Sequence, residues 1–310
     1  MSHTIPAPTL PLTEKTFSSY NKEQGSAYFK VRPDYHPTLY QFVVDQHTST
    51  GGQFDTLVDV GCGPGLAARA LGPRFASVIG LDPSEGMIET ARSLGGVTST
   101  SDPIRFERSS AEELGGVKDS SVDLITAANA AHWFDMEGFW PAAARVLKPG
   151  GTVALWTSGD IHAHPSMPNS AAIQATFETY QATHLEPYYV PGNRLTRATY
   201  RTLPLPWTLS QPVEEFEESS FVRKDWEADE PFFVGESQLS MDIFELAISS
   251  GSAQVRWHQA HPDLVGTERD LVKILRGEVE RLLHEAGVEK GKEFVRGAVL
   301  GAVLIFKKKL

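Results

Sequence analysis

The sequence predicts an α/β fold built on a doubly wound, mostly parallel sheet. Short apolar segments alternate with segments of helical pattern over residues 56–156. Continuous apolar runs are typical of strands buried on both faces, and right-handed crossovers then place helices on both sides of the sheet. Two later segments bring the number of predicted strands to seven, at residues 56–60, 77–81, 104–107, 122–127, 152–156, 221–226 and 299–306.

Helices are predicted before, between and after these strands. Pro33 and Pro37 separate two N-terminal helices that we expect to form a lid, at 17–29 and 38–45. Ser84 is the expected N-cap of one of the three helices that lie between strands, at 66–71, 84–94 and 139–147. The stretch after residue 158 is rich in aromatic residues and proline, and its helices are predicted near 171–184, 241–249 and 268–284.

This pattern divides the chain into four parts. We predict an N-terminal arm with lid helices at 1–50 and a sheet core at 51–158. A helical cap is predicted as an insertion at 159–218, and residues 219–310 are predicted to complete the sheet, with helical insertions of their own.

Composition narrows the function classes. The chain has 310 residues and a net charge of -11, and an acidic surface repels phosphate backbones, so we expect no nucleic-acid partner. The basic run 307–309 is interpreted as a solvated tail. The single cysteine, Cys62, fits a reducing compartment and no cysteine-rich zinc site, and we expect no metal. Residues 1–12 lack a secretory pattern and no apolar run could span a bilayer, so a cytoplasmic protein without membrane contact is expected.

The most informative segment is a glycine-rich turn directly after the first predicted strand. Gly61, Gly63 and Gly65 have the spacing Gly-x-Gly-x-Gly, and glycine permits positive φ and close approach of a ligand. Leu66 stands where a dinucleotide fingerprint has its third glycine. Asp82 ends the next strand, where a carboxylate can accept hydrogen bonds from both ribose hydroxyls. The alternatives are a turn without a ligand and an Asp82 that only caps the following helix.

These segments, with three others in order, resemble class I S-adenosylmethionine-dependent methyltransferases. The first two motifs are 59–65 and 80–84, followed by the adenine-side loop 110–112, the fourth-strand start 121–124 and the turn 147–151. The resemblance implies a Rossmann-like sheet and S-adenosylmethionine as the cofactor. Within the family, residues 32–35 and 131–134 most resemble the yeast-type trans-aconitate methyltransferase group.

The resemblance also implies roles for individual residues. The three glycines would let the backbone approach the methionine part of the cofactor, Asp82 would hold the ribose, and Asp59 would orient the amino group, directly or through water. Cys62 is expected to be a small filler of the turn. The full set of cofactor-binding candidates is Tyr28, Asp59, Gly61, Cys62, Gly63, Gly65, Asp82, Pro83, Met87, Ser110, Ala111, Glu112 and Asn129.

For the methyl acceptor, His132 is the candidate catalytic base. It follows the fourth strand, and an imidazole pKa can lie near neutral; substrate contact or plain packing beside Trp133 are the alternatives. An ionised carboxylate acceptor needs no base, whereas a thiol or alcohol would benefit from one. The arginines at 194, 197 and 201 could grip a carboxylate or lie in solvent. The substrate-binding candidates are Tyr20, Arg32, His132, Trp133, Arg194 and Trp207.

Three functions are compatible with these observations. We favour transfer of a methyl group to a small molecule of secondary metabolism, a carboxylic acid, hydroxyl or thiol, by a monomer or weak homodimer. A non-catalytic cofactor-binding partner or regulator is the first alternative. A nicotinamide-dependent dehydrogenase is the second, and the missing third glycine disfavours it.

Overall fold

The computed structural model describes residues 20–235 and 238–310, so the predicted arm at 1–12 and the start of the helix predicted at 17–29 lie outside the described residues. The first half alternates helices and strands in the predicted order. Its elements are α1 (Lys22–Val31), α2 (Pro37–Ser49), β1 (Thr56–Val60), α3 (Leu66–Leu71), β2 (Ser77–Asp82), α4 (Glu85–Leu94), β3 (Arg105–Arg108), β4 (Val122–Ala128), α5 (Met136–Val146) and β5 (Leu147–Thr157).

The second half is mainly helical, with short strands. Its elements are β6 (Ile161–Ala163), α6 (Ser170–Tyr180), α7 (Pro191–Arg197), β7 (Val222–Asp225), β8 (Gln238–Ser240), α8 (Met241–Ser249), α9 (Ser252–Ala260), α10 (Leu271–Glu285), β9 (Phe294–Val299) and β10 (Ala302–Lys307). Within the described residues, none of these helices has the length and apolar character needed to cross a bilayer.

The seven-stranded, mostly parallel sheet is confirmed, with the order β3-β2-β1-β4-β5-β10-β7. Strands β1 to β5 run parallel to one another. β10 runs antiparallel to both of its neighbours, β5 and β7. Val60 pairs with Leu81, so the carboxyl ends of β1 and β2 lie side by side at one edge. The sheet therefore brings the glycine turn and Asp82 together, because both follow these strand ends.

One predicted strand is wrong in its bounds. The apolar run 299–306 is divided near Gly301, where a Cβ would lie 2.2 Å from the Phe232 ring. β9, before the break, belongs to a small separate sheet of order β6-β9-β8, and β10, after it, completes the large sheet. Gly301 interrupts the apolar run, but a single glycine in a strand pattern does not by itself predict such a change of sheet.

The cap has a hydrophobic core of its own. Side chains of α6, α8, α9 and α10 form this core, including Phe177, Phe244 and Leu275. The segment after α7 instead packs on the large sheet, where Tyr200 and Phe216 belong to the cluster around Trp140. The packing thus groups the cap differently from the predicted ranges 159–218 and 219–310, whose boundaries stay a prediction.

The interpretation of residues 307–309 as a solvated tail is wrong for the first two lysines. Lys307 is only 6% exposed and donates from Nζ to Thr152 Oγ1 at 2.8 Å. Thr152 Oγ1 also lies 2.7 Å from Nδ1 of the buried His47. Lys308 Nζ donates to two carbonyls at the end of α5. Lys307 is the last residue of β10 and pairs with Thr152 of β5, and Lys308 follows it directly, so the strand holds both lysines against the protein.

Burial of Lys307 predicts an unusual dependence of stability on pH. Desolvation lowers the pKa of Lys307 from 10.5 to about 8. Between these values the unfolded chain holds a proton that the folded chain has lost, so the free energy of unfolding rises with pH. We expect Lys307→Met to stabilise the protein at neutral pH, because it removes a buried charge, and this advantage to shrink as the pH rises through that window. Urea unfolding at several pH values measures both effects.

Lys309→Met is the matched control, since Lys309 is exposed at the same strand end. It should leave the pH dependence as it is in the natural protein. A Lys307→Met variant whose stability difference from the natural protein is constant from pH 7 to pH 10 would contradict the burial argument.

Candidate active site

A continuous cavity of about 1110 Å³ lies at the carboxyl edge of the parallel strands. Residues after β1, β2, β4 and β5 form its floor, α1 and the following segment contribute Tyr28 and Arg32, and the cap closes the far side. α1 packs tightly on α4, because Gly25 and Gly86 let the two helices approach each other: a Cβ on Gly25 would lie 2.8 Å from Gly86 O. The cavity thus lies where ligands bind in open α/β sheets.

The glycine turn adopts the conformation that the sequence predicts. Gly61, Gly63 and Gly65 have φ angles of 63°, 53° and 85°. A Cβ on Gly61 would lie 2.6 Å from the Cβ of Ala130, and one on Gly65 would lie 2.7 Å from the Phe106 ring. A Cβ on Gly63 would meet nothing within 4 Å. The backbone of Gly63 is therefore open to the cavity, whereas Gly61 and Gly65 are needed for packing.

Asp82 joins the glycine turn to the start of α4. Its Oδ2 accepts from Gly63 N at 2.9 Å, and its Oδ1 accepts from Ser84 N at 2.9 Å. The side chain is 8% exposed and lines the cavity. Ser84 is the N-cap of α4 and accepts from Met87 N at 3.3 Å, as predicted. Asp82 therefore orders the helix start and also faces the bend, so the two interpretations of this residue are compatible.

Replacing Gly63 tests whether the open backbone is a ligand surface. We expect Gly63→Ala to weaken binding of S-adenosylhomocysteine about tenfold or more in calorimetry, because the new methyl group occupies the cavity beside Asp82. Gly287→Ala is the control: Gly287 also has a positive φ, 88°, and space for a Cβ, but does not line the cavity. Each substitution should cost about 1–2 kcal/mol of stability from backbone strain alone. Equal affinities for the two variants would contradict a ligand-facing Gly63.

Asp59 does not line the cavity, so a direct contact with the amino group of the cofactor is wrong. It is fully buried, where its Oδ1 accepts from Thr126 Oγ1 at 2.7 Å and its Oδ2 accepts from Ala68 N at 3.1 Å. Burial raises the pKa of its carboxyl to about 7. Asp59 thus ties β1 to β4 and to α3 and supports the glycine turn, and its predicted contact with the amino group through water stays a prediction. Gly65, at the N-cap of α3, also lies outside the cavity wall.

The remaining cofactor candidates all line the cavity: Tyr28, Gly61, Cys62, Gly63, Asp82, Pro83, Met87, Ser110, Ala111, Glu112 and Asn129. Glu112 accepts from Asp135 N at 2.8 Å, which links the adenine-side loop to the start of α5. Asn129 has a φ of 52° and accepts at Oδ1 from Thr157 Oγ1 at 3.0 Å and Ser158 N at 3.3 Å. Burial raises the pKa of the Cys62 thiol well above its usual value, which fits a filler rather than a nucleophile.

His132 lines the cavity, but its expected near-neutral pKa is wrong. Its Nδ1 lies 2.9 Å from the hydroxyl oxygen of Tyr200, and the Trp133 ring lies 4.4 Å away between centroids. Burial, and secondarily the positive charge of Arg32, lower the pKa of His132 to about 3. The imidazole is therefore neutral at physiological pH and strongly resists a proton, which argues against its predicted role as general base.

Three of the substrate candidates lie away from the cavity. Trp207 packs against Phe221 and Phe306 on the large sheet, with centroids 5.7 and 5.9 Å apart. Arg194 forms an ion pair with Glu186 at 2.6 Å. Tyr20 lies edge-on to Tyr28, with centroids 6.4 Å apart, and does not line the cavity. These three predictions are corrected accordingly, whereas Arg32, His132 and Trp133 line the wall.

The predicted arginine cluster is already paired within the protein. Arg197 binds Asp160 at 2.9 Å and Arg201 binds Asp225 at 3.3 Å. Arg32 is different, because it lines the cavity with its guanidinium 5.0 Å from the Tyr28 ring centroid and with its buried Nε lacking a hydrogen-bond partner. Arg32 is therefore a cation of the wall that suits an anionic group in the cavity; Arg296 also lines the cavity, but it donates from Nη1 to Ser166 Oγ at 2.8 Å.

Sequence reasoning missed most of the cap wall. Its apolar and aromatic side chains there include Phe177, Tyr180, Leu185, Tyr189, Ile243, Ile248 and Leu275, and polar side chains such as Gln181, Asn193 and Gln254 lie among them. Tyr189 lines the cavity, whereas Trp226 and Trp257 belong to hydrophobic cores. Tyr200 was missed as the partner of His132, and the sequence offers no signal for a contact between residues 68 positions apart.

The cavity fits S-adenosylmethionine. Asp82 offers a carboxylate for a diol, and Gly63 leaves room for close approach of a ligand to the backbone. Among residues 20–235 and 238–310 no group of three or more His, Cys, Asp or Glu side chains could hold a metal ion.

Comparison with known proteins agrees with this geometry. Residues 58–155 match the family model described as methyltransferase domain. The Saccharomyces cerevisiae protein CRG1, described as an S-adenosylmethionine-dependent methyltransferase, is 25% identical over 275 residues, which cover 86% of this chain and 91% of that protein. A Dictyostelium discoideum protein proposed to be a methyltransferase is 35% identical over 156 residues, 50% of this chain and 54% of that protein.

One more relative matches over a shorter stretch, and a solved structure matches over most of the chain. The Aspergillus candidus methyltransferase cfoB is 33% identical over 151 residues, 47% of this chain and 46% of that protein. The matches thus span about half the length of several of these relatives. A solved structure of a proposed type II methyltransferase from Anaeromyxobacter dehalogenans superposes with a TM-score of 0.57 at 22% identity and covers 90% of this chain and 97% of that one, which shows the fold.

The fold, the turn and the family model agree with one another. Residues 58–155 match a methyltransferase domain, and the cavity beside them fits S-adenosylmethionine as its cofactor. Among its relatives, this chain is similar over most of its length to yeast CRG1.

Proposed function

We propose that this protein transfers the methyl group of S-adenosylmethionine to a small-molecule acceptor that binds under the cap. The observation that carries the proposal is the continuity of the cavity. It runs from Asp82 and the glycine turn to the apolar cap wall around Phe177 and Leu275. The cavity of about 1110 Å³ is larger than the about 300–1000 Å³ usual for one ligand, which supports a second molecule beside the cofactor.

The residues of this chain would act mainly by positioning. When bound, the cofactor supplies an activated sulfonium methyl group. Gly63 and Asp82 would hold its methionine and ribose parts, Tyr28 would cover it from α1, and the cap side chains would exclude water from the reacting atoms. Such a site needs an acceptor atom in line with the methyl group, and little further chemistry from the protein.

Among carboxylic acid, hydroxyl and thiol acceptors, we propose a carboxylic acid. An ionised carboxylate needs no base, which suits a His132 that resists protonation. Arg32 provides a cation at the cavity wall. The resemblance of residues 32–35 and 131–134 to the yeast-type trans-aconitate methyltransferase group supports the same choice. We further propose that the enzyme acts in the cytoplasm on a secondary metabolite, as a monomer or weak homodimer without nucleic acid.

A labelled-methyl assay tests the function. The protein is incubated with S-adenosylmethionine carrying a labelled methyl group and with matched sets of carboxylic acids, phenols and thiols. We expect labelled methyl esters, identified by mass. Label in phenols or thiols alone would overturn the choice of acceptor. Binding of the cofactor without transfer to any acceptor would favour the non-catalytic alternative instead.

A further inference from the structure

The contact between His132 and Tyr200 is buried and held from two sides. Tyr200 is 1% exposed, follows α7 and has a φ of 61°. α7 itself lies against the turn that contains His132, because a Cβ on Gly192 would be 2.5 Å from both His132 O and the Trp133 ring. The distance of 2.9 Å between His132 Nδ1 and the Tyr200 hydroxyl is thus part of an ordered interface between the sheet core and the cap.

The groups around this contact limit where the Tyr200 proton can go. Backbone N–H groups at residues 131 and 132 interact with the Tyr200 oxygen, and an N–H group can only donate. The hydroxyl of Thr157 gives its proton to Asn129 Oδ1, which also accepts from Ser158 N, so the Thr157 oxygen near Tyr200 is a competing acceptor. His132 Nδ1 lies 2.9 Å from the Tyr200 oxygen and is the acceptor that we assign to the Tyr200 proton.

We propose that Tyr200 is a positioning residue that makes His132 a neutral hydrogen-bond donor through Nε2. An imidazole whose Nδ1 accepts a hydrogen bond carries its hydrogen on Nε2. Nε2 is the nitrogen left for the cavity, since the His132 ring lines it while Nδ1 faces Tyr200. The inference rests on the proposed function in one respect: the Nε2 hydrogen binds an oxygen of the methyl acceptor.

The charges around the cavity fit a donor better than a base. Arg32 is the charged group that acts on the His132 ring, and its positive charge disfavours a second one there. Other titratable groups of the wall have partners of their own: Asp160 pairs with Arg197, and His164 lies 3.0 Å from Asp229. A donor at Nε2 selects acceptors that present an oxygen lone pair beside the reacting atom, as a carboxylate does.

Nitrogen-15 spectra of the full chain, labelled at its 10 histidines, test the tautomer without any acceptor. Signals of His132 are those lost in His132→Gln. We expect an unprotonated Nδ1, a protonated Nε2, and no titration from about pH 5 to pH 8. In Tyr200→Phe the proton donor is gone, so we expect the two tautomers to mix. Tyr188→Phe, a change to a buried cap tyrosine that packs on His261, should leave these signals unchanged.

Three results would overturn the proposal. A protonated Nδ1 in the natural protein would mean that Tyr200 donates to Thr157 instead. Titration of His132 near neutral pH would restore the base. An unchanged tautomer in Tyr200→Phe would remove Tyr200 from its role. Binding of S-adenosylhomocysteine to each variant confirms that it is folded. Failure of the methyl-transfer assay would count against the proposed function alone, because the spectra need no acceptor.

Discussion

Asp82→Ala should abolish practical cofactor binding, with the affinity for S-adenosylhomocysteine falling by a factor of about 100 or more. Hydrogen bonds to a charged group contribute about 1.5–3 kcal/mol each, and Asp82 would form two with the ribose. The substitution also leaves Gly63 N and Ser84 N without their carboxylate acceptor, so the turn and the start of α4 lose their connection. Isothermal titration calorimetry measures the loss directly.

Two further variants separate the ribose contact from the local structure. Asp82→Asn keeps one oxygen acceptor but loses the charge, and should bind the product with intermediate affinity. Asp45→Ala removes an exposed carboxylate of α2 and should bind normally. If Asp82→Ala binds the product as tightly as Asp45→Ala does, the ribose assignment is wrong, and with it the placement of the cofactor.

The sheet core could be predicted because its signals are local. β1 and β2 are apolar runs bounded by turn residues, and the glycine turn combines a strand end with positive φ angles that glycine adopts easily. Asp82 is placed by topology alone, since parallel neighbours end at the same edge. Local sequence patterns and the parallel topology are therefore enough to predict β1, β2, the glycine turn and the position of Asp82 beside it.

The cap could not be predicted in the same way, because its contacts join distant parts of the chain. Its core combines α6 with α8 and α10, more than sixty residues apart in sequence. Trp207 was assigned to the acceptor because it is aromatic, but aromatic side chains fill cores as readily as pockets, and this one packs on Phe306. Arg194 was assigned by charge, and a neighbour in its own segment, Glu186, neutralises it.

His132 shows a different limit of sequence reasoning. Its position after β4 could be predicted, and it lies in the cavity wall. Its protonation could not, because the pKa depends on burial and on Arg32, a residue 100 positions earlier. The position of His132 in the cavity wall and its low pKa together change its expected role from accepting a proton to donating a hydrogen bond.

The pair His132→Gln and His132→Asn distinguishes these two chemistries by rate. A glutamine places an N–H donor near the position of Nε2, whereas an asparagine places its amide near Nδ1, beside Tyr200, and leaves the Nε2 position empty. Neither amide can act as a base at neutral pH. We expect His132→Asn to lose about 100-fold in kcat/KM, a cost near 2.7 kcal/mol, and His132→Gln to lose about tenfold less.

The pH profile provides the second measurement on the same proteins. A neutral donor predicts that kcat/KM of the natural enzyme is flat from about pH 6 to pH 8, because the pKa of His132 lies near 3 and the ring does not titrate in that range. If His132 is a base, both variants should lose the same factor in kcat/KM. The natural enzyme should then lose kcat/KM at acid pH, and neither variant should show that decrease. If both variants lose the same factor in kcat/KM, and kcat/KM of the natural enzyme falls at acid pH, the hydrogen bond from Tyr200 does not set the role of His132.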